Sequence, residues 1–326
     1  MRKYSTTLAT TRHRSHGCVK TGPSKLKRLL SYAIDYASIG RVLAVLGLLA
    51  GLMSPALAQP KEHLLWLLRD LPPVTIFEGP KKGQGVIDQL MPLLIAGMPQ
   101  YEHTLMRVNR ARGMQMLHEK SFTCDPSLIW SEEREHWIAF SIPAFRAVSN
   151  GLVIRREDRS VLEPFLIGDE VDLAALLASR REKVGVVAER RYGQFLDTLL
   201  QQAPSGVLAP HYGNNALGSL LQMQRLGRLQ VVLGYWPEIR YQARQEHIAD
   251  DQLEFYPVKG TGKYLSGYIG CSNTPQGRQA ISEINKLLRA LPRERLDPLY
   301  ADWLDPQRRK DYLEETRAFF ERQAAQ

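Results

Sequence analysis

Cysteine is scarce in this chain, with three among 326 residues. That excludes a small disulfide-stapled scaffold, and no Cys-x-x-Cys pair suggests a zinc or redox site. A Gly-x-Ser-x-Gly elbow and a His-Glu-x-x-His helix are also absent. His63, His103, His118, His136, His211 and His247 lie scattered, without the spacing of metal ligands. Gly260-Thr261-Gly262-Lys263 lacks the spacer and the following Ser or Thr of a phosphate loop, and reads as a hinge turn. The sequence therefore predicts no metal, no cofactor and no enzyme. No apolar run reaches the roughly 20 residues of a membrane span, and there is no internal repeat or low-complexity segment.

What is present begins with a shorter apolar run. From Val42 the chain reads VLAVLGLLAGLM, then Ser54-Pro55 and Ala56-Leu57-Ala58. An apolar core of about a dozen residues, a helix breaker and a small-x-small end are the marks of a cleavable export signal. Lys25, Lys27, Arg28 and Arg41 supply its positive flank. Residues 1–58 are read as signal sequence, with 1–40 as an over-extended N-terminus, and the mature protein begins near Gln59. No cysteine sits at the cleavage point, so a soluble periplasmic product is expected rather than a lipoprotein.

Removing that segment changes the charge. The full chain has 43 basic and 34 acidic residues. Residues 1–58 hold nine of the basic ones and one acid, which leaves 34 against 33 and a net charge near +1. The basicity belongs to the presequence, and nucleic acid is excluded as a partner. Cys18 leaves with it. Cys124 and Cys271 remain as an even pair in an oxidising compartment and predict a disulfide, with two buried free thiols as the alternative.

The mature chain alternates short apolar runs with helix-period segments. Leu64–Leu68 reads as a buried strand ending at Asp70, and Val86, Ile87, Leu90, Leu93 and Leu94 fall on one helical face. Further strands are expected at 103–108, 123–129 and 151–155, with a helix at 111–118 between the first two. A second series places strands at 184–187, 207–209 and 229–233 among helices at 172–178, 193–201, 215–226 and 235–246. Alternation of this kind implies a mostly parallel sheet flanked by helices. Two such series, split near 156–165, imply two α/β lobes.

Several local patterns then converge. Ser131-Glu132-Glu133-Arg134 followed by Phe140-Ser141-Ile142-Pro143 resembles the "Thr-x-x-Arg … Phe-Ser-x-Pro" signature of bacterial solute-binding proteins of family three, the periplasmic amino-acid-binding type. Asp70-Leu71-Pro72-Pro73, then Gly83-x-Gly85 and Asp88, is similar to that family's opening. Val184-Gly185-Val186 through Tyr192-Gly193 to Leu196 resembles the start of its second lobe, and Tyr268 to Gly277 its return to the first. A poorly characterised subgroup with cysteines matching Cys124 and Cys271 is the nearest fit.

The resemblance implies a type II periplasmic-binding-protein fold, with two lobes, a ligand cleft between them and hinge closure on binding. Its divisions would be 59–157 for the first part of lobe 1, 158–260 for lobe 2, and 261–326 for the return to lobe 1 and the C-terminal helices. The strands carrying Cys124 and Cys271 would be neighbours in one sheet. The implied role is capture of a small polar or anionic ligand by a monomer, for an inner-membrane ABC transporter. A sensor or accessory protein of the same fold is the alternative.

The implied ligand-binding residues are Arg134, Ser131, Trp130, Asp70, Arg190, Arg191 and Tyr192. In the family the residue matching Arg134 holds a ligand carboxylate, which suits a planar guanidinium able to form two parallel charge-assisted bonds. The alternative is that Arg134 pairs with Glu132, Glu133 or Glu135 on a solvated helix. The family's Gly-Thr after the second-lobe strand is replaced by Glu189-Arg190-Arg191-Tyr192, either a site for a more acidic ligand or a solvated turn. The late carboxylate that receives an amino group has only Glu238 near its place, and Val74 stands where an aromatic is expected. An ordinary free amino acid is therefore not the expected ligand.

Overall fold

The computed structural model describes residues 60–213 and 215–324, with the backbone alone at Asp250. The segment read as an export signal, and Cys18 with it, lies outside the described residues. The chain runs through β1 (Glu62–Leu68), α1 (Val86–Gly97), β2 (Tyr101–Arg107), α2 (Arg110–His118), β3 (Thr123–Leu128), the one-turn α3 (Glu132–Glu135) and β4 (Ile138–Val148). It continues with β5 (Gly151–Arg155), the short β6 (Leu166–Ile167) and β7 (Glu170–Val171), α4 (Leu173–Ser179), β8 (Val184–Val187), α5 (Gln194–Gln201), β9 (Leu208–His211), α6 (Ala216–Arg225), β10 (Val231–Gly234) and α7 (Trp236–Gln245). β11 (Leu253–Pro257), β12 (Tyr264–Ser272), α8 (Pro275–Arg289), α9 (Arg293–Ala301) and α10 (Pro306–Ala324) complete it.

Two five-stranded sheets form the two lobes, in the orders β2-β1-β3-β12-β4 and β11-β5-β10-β8-β9. Each sheet is mixed rather than mostly parallel. In the first, β1 pairs in parallel with β2 and β3, while β12 runs antiparallel to β3 and β4. In the second, β8 pairs in parallel with β9 and β10, while β5 runs antiparallel to β10 and β11. The antiparallel strands are those next to the crossings, where the chain leaves one lobe and returns to it.

Strand β5, expected in the first lobe, lies in the second sheet. The outward crossing is only Ser149-Asn150, between β4 and β5. The charged stretch after Arg155, which resembles a boundary by composition, is a 3-10 turn spanning Arg156–Val161. The return crossing leaves β11 at Pro257 and enters β12 at Tyr264. The two crossings are tied together, because Ser149 N donates to Lys263 O at 3.1 Å and Ser149 Oγ donates to Gly262 O.

Strands covered on both faces explain the unbroken apolar runs of the sequence. In the second lobe Leu152, Ile154, Val231 and Leu233 fill one side of the sheet, and Val153 and Val232 fill the other. In the first lobe Leu64 and Trp66 pack under α1, α8 and α9, whereas Leu67 faces Leu117, Leu128 and Ile138. Helix α1 buries Val86, Ile87, Leu90, Met91 and Leu94. Its entry is fixed by Asp88, whose carboxylate accepts from Gly85 N and Ile76 N, both at 2.9 Å. Gly85 is required there, since a Cβ would lie 2.3 Å from the Val74 carbonyl oxygen.

Cys124 and Cys271 face each other across β3 and β12 and are joined in a disulfide. They close a loop of 147 residues that contains the whole second lobe. No helix among the described residues is long and apolar enough to cross a membrane.

Candidate functional site

In an open α/β sheet, side chains that follow the carboxyl ends of parallel strands face a common crevice. Both lobes present such ends to each other. Arg69 follows β1, Ser127–Ile129 ends β3, Arg190 and Arg191 follow β8, and Tyr235 and Glu238 follow β10. Together with Arg110 at the first turn of α2 and Arg134 on α3, they line a cavity between the lobes. Leu71, Val74, Phe145, Ala147 and Tyr300 supply apolar wall. The space open to the centres of water molecules is about 50 Å3.

The lobes also touch each other directly. Arg191 from the second lobe forms an ion pair with Glu133 of the first. Tyr241 of α7 donates to the Glu78 carbonyl oxygen at 3.3 Å and sets its ring edge-on to Trp303, with centroids 5.5 Å apart.

Five arginines line the cavity against one carboxylate, Glu238, and they divide by what they meet. Arg69 is 4% exposed; its Nη2 donates to Asp125 Oδ1 at 3.0 Å and to Ser127 O at 2.7 Å. Arg190 makes a bidentate pair with Glu238, at 2.8 and 2.7 Å, with both side chains buried. Burial alone would lower the Arg190 pKa, but the Glu238 charge outweighs it and holds the guanidinium above its ordinary range. Such a pair is a fixed element of the wall, since separating it would strand two buried charges.

Arg134 is 5% exposed and donates only to the Ile129 carbonyl oxygen, at 3.1 Å. Burial, reinforced by the nearby Arg69 charge, lowers its pKa to about 10. Arg110 is partly buried and its pKa is pushed well down, by burial first and then by Arg69 and Arg190. Neither Arg110 nor Arg134 has an ion-pair partner among the described residues. The expectation that Arg134 pairs with a glutamate on a solvated helix does not describe this geometry.

The other sequence candidates fall outside the cavity lining. Asp70 is exposed and accepts from Phe77 N at 3.1 Å, which closes the loop after β1. Ser131 precedes α3 with its Oγ buried and without a hydrogen-bond partner. Trp130 is half-buried beside it. Tyr192 belongs to the second-lobe core, where Val187 N donates to its hydroxyl at 2.7 Å and burial raises its pKa to about 12. Arg69 and Arg110 escaped the sequence reading. The signal for both was a cation directly after an apolar strand or at the first position of a helix, facing the crevice.

Helix-flanked sheets, two tied crossings and a crevice at the strand ends decide the fold. The chain has the two-lobed fold of periplasmic binding proteins. Solved structures of that fold match it at low identity. One is an amino-acid ABC transporter substrate-binding protein from Streptococcus pneumoniae bound to L-arginine, 16% identical over 74% of this chain and 94% of that one, with a TM-score of 0.55. Another is a histidine kinase sensor domain with similarity to periplasmic binding proteins, 16% identical over 74% and 96%, at 0.57. A domain of Bordetella pertussis BvgS is 17% identical over 76% and 94%, at 0.53. No protein-family model matches the chain, and no curated protein is similar to it in sequence.

Proposed function

We propose that this protein is an exported, monomeric solute-binding protein that captures a small polar or anionic molecule by closing its two lobes. The observation that carries the reading is Arg134, a buried guanidinium at the cavity wall with a single backbone carbonyl as partner. A buried cation left without a counter-charge is costly, and an anionic ligand removes that cost through charge-assisted bonds. Delivery to an inner-membrane ABC permease fits the kind of transporter protein whose fold it shares. The one carboxylate in the cavity lining, Glu238, is held by Arg190 and is not free to act as an acid or base.

The test is a thermal-shift screen against amino acids, dicarboxylates, polyamines and small peptides, followed by solution scattering. A ligand is expected to raise the melting temperature and compact the protein, and Arg134→Ala is expected to abolish both while leaving the fold intact. A flat screen with folded protein would overturn capture. The likeness to a kinase sensor domain favours a second reading, in which the closed lobes signal to a membrane partner. A permease gene or a sensor-kinase gene beside this one separates the two.

A further inference from the structure

Strand order separates the two unpaired cations. In the first sheet β1 lies between β2 and β3. Arg110 follows β2, Arg69 follows β1 and Arg134 follows β3, so Arg69 stands between the other two, already engaged by Asp125 and Ser127. Beside this row the wall is apolar, with Leu71, Val74, Phe145 and Ala147.

The crevice also offers no free carboxylate to an ammonium group. Glu238 is the one carboxylate in the lining, and each of its oxygens already accepts from Arg190. Asp125 and Glu133 answer Arg69 and Arg191 from outside the lining. Two positive charges are left over, at Arg110 and Arg134.

Resting on the capture function proposed above, we infer that the ligand is a short organic dianion with a carboxylate at each end of a carbon spine and no amino group. One carboxylate meets Arg134 and the other meets Arg110, and the spine lies along the apolar wall. An inorganic oxyanion suits the site less well, since it presents oxygen on every side and would bury some of it against hydrocarbon. The size agrees. At roughly 10–15 Å3 of centre volume per water, the cavity of about 50 Å3 holds about four waters. That is on the order of 120 Å3 of liquid, the scale of a four-carbon diacid.

Isothermal titration calorimetry of the purified protein with succinate, butyrate, L-aspartate and inorganic phosphate tests this. Succinate is expected to bind tightest. Butyrate, which keeps one carboxylate, should bind about 10- to 100-fold more weakly, the effect of one charge-assisted end. L-aspartate and phosphate should also fall below succinate. In Arg110→Gln the preference for succinate over butyrate should collapse towards unity while butyrate binding is retained, so a misfolded variant is recognised by its loss of butyrate. Tighter binding of L-aspartate or phosphate, or equal binding of butyrate and succinate, overturns the dianion. An amino acid, polyamine or peptide that binds more tightly than succinate and closes the lobes also removes the dianion but leaves capture standing. Silence from every solute removes both.

Discussion

Arg190 and Arg134 sit on opposite sides of one crevice, both nearly sealed from solvent, and they have opposite electrostatic fates. Arg190 in the second lobe is locked face to face with Glu238. Arg134 in the first lobe meets a single carbonyl. The first is construction and the second is readiness for a ligand. The lobes also differ in their supports: the first carries the Cys124–Cys271 disulfide beside its own buried Arg69–Asp125 pair, and the second holds its cleft wall with Arg190–Glu238.

The comparison breaks most visibly at the ion pair. Glu238→Ala strands Arg190 and is expected to lower stability by about 3–5 kcal/mol in urea unfolding. A loss below 1 kcal/mol would mean that Arg190 is no more committed than Arg134. Reduction of the disulfide comes next, at about 2–5 kcal/mol for a loop of this length. Hydrogen exchange should show the loss concentrated in β3, β12 and their helices. Equal loosening of β8 and β10 would contradict separate supports.

Asp297 offers a third test, as a buried carboxylate whose nearest cation, Arg293, is 4.0 Å away. Burial dominates and raises its pKa to about 6, from 3.8. Between roughly pH 4 and 6 the folded protein thus holds more protons than the unfolded chain, and stability falls as pH rises. Asp297→Asn should flatten that fall and gain up to about 3 kcal/mol at pH 8 relative to pH 4. An unchanged pH profile would show the carboxyl to be solvated. The smallest effect belongs to Arg191→Ala. Its partner Glu133 is 65% exposed, so stability should change by about 1 kcal/mol or less. The lobes should nevertheless open in scattering; an unchanged radius of gyration would remove Arg191 from the closure.

The elements were legible where burial is two-sided and local. Val184–Val187 and Val231–Leu233 read as strands because both faces are apolar. Helix α9 was missed, since Pro298 and its charged residues mask the period. The lobe of β5 was misread because a two-residue crossing leaves no compositional trace. Arg134, Arg190 and Arg191 were legible as candidates, and the cavity includes all three. Which of them is paired was not legible. Arg190 finds Glu238 48 residues away, and Arg69 finds Asp125 56 residues away. Pairings at that range are set by strand order, which no local pattern carries.

The strand β12 runs from Tyr264, beside the tied crossings, to Cys271 at the disulfide. Seven residue steps at about 3.3 Å make it a rod of roughly 23 Å, bonded to β4 along most of its length and to β3 at its far end. A rod clamped at one end and pivoted at the other is a lever. Cutting the disulfide would loosen its clamp, so a thiol-rich environment should slow or blunt the response of the lobes to ligand before it unfolds either of them.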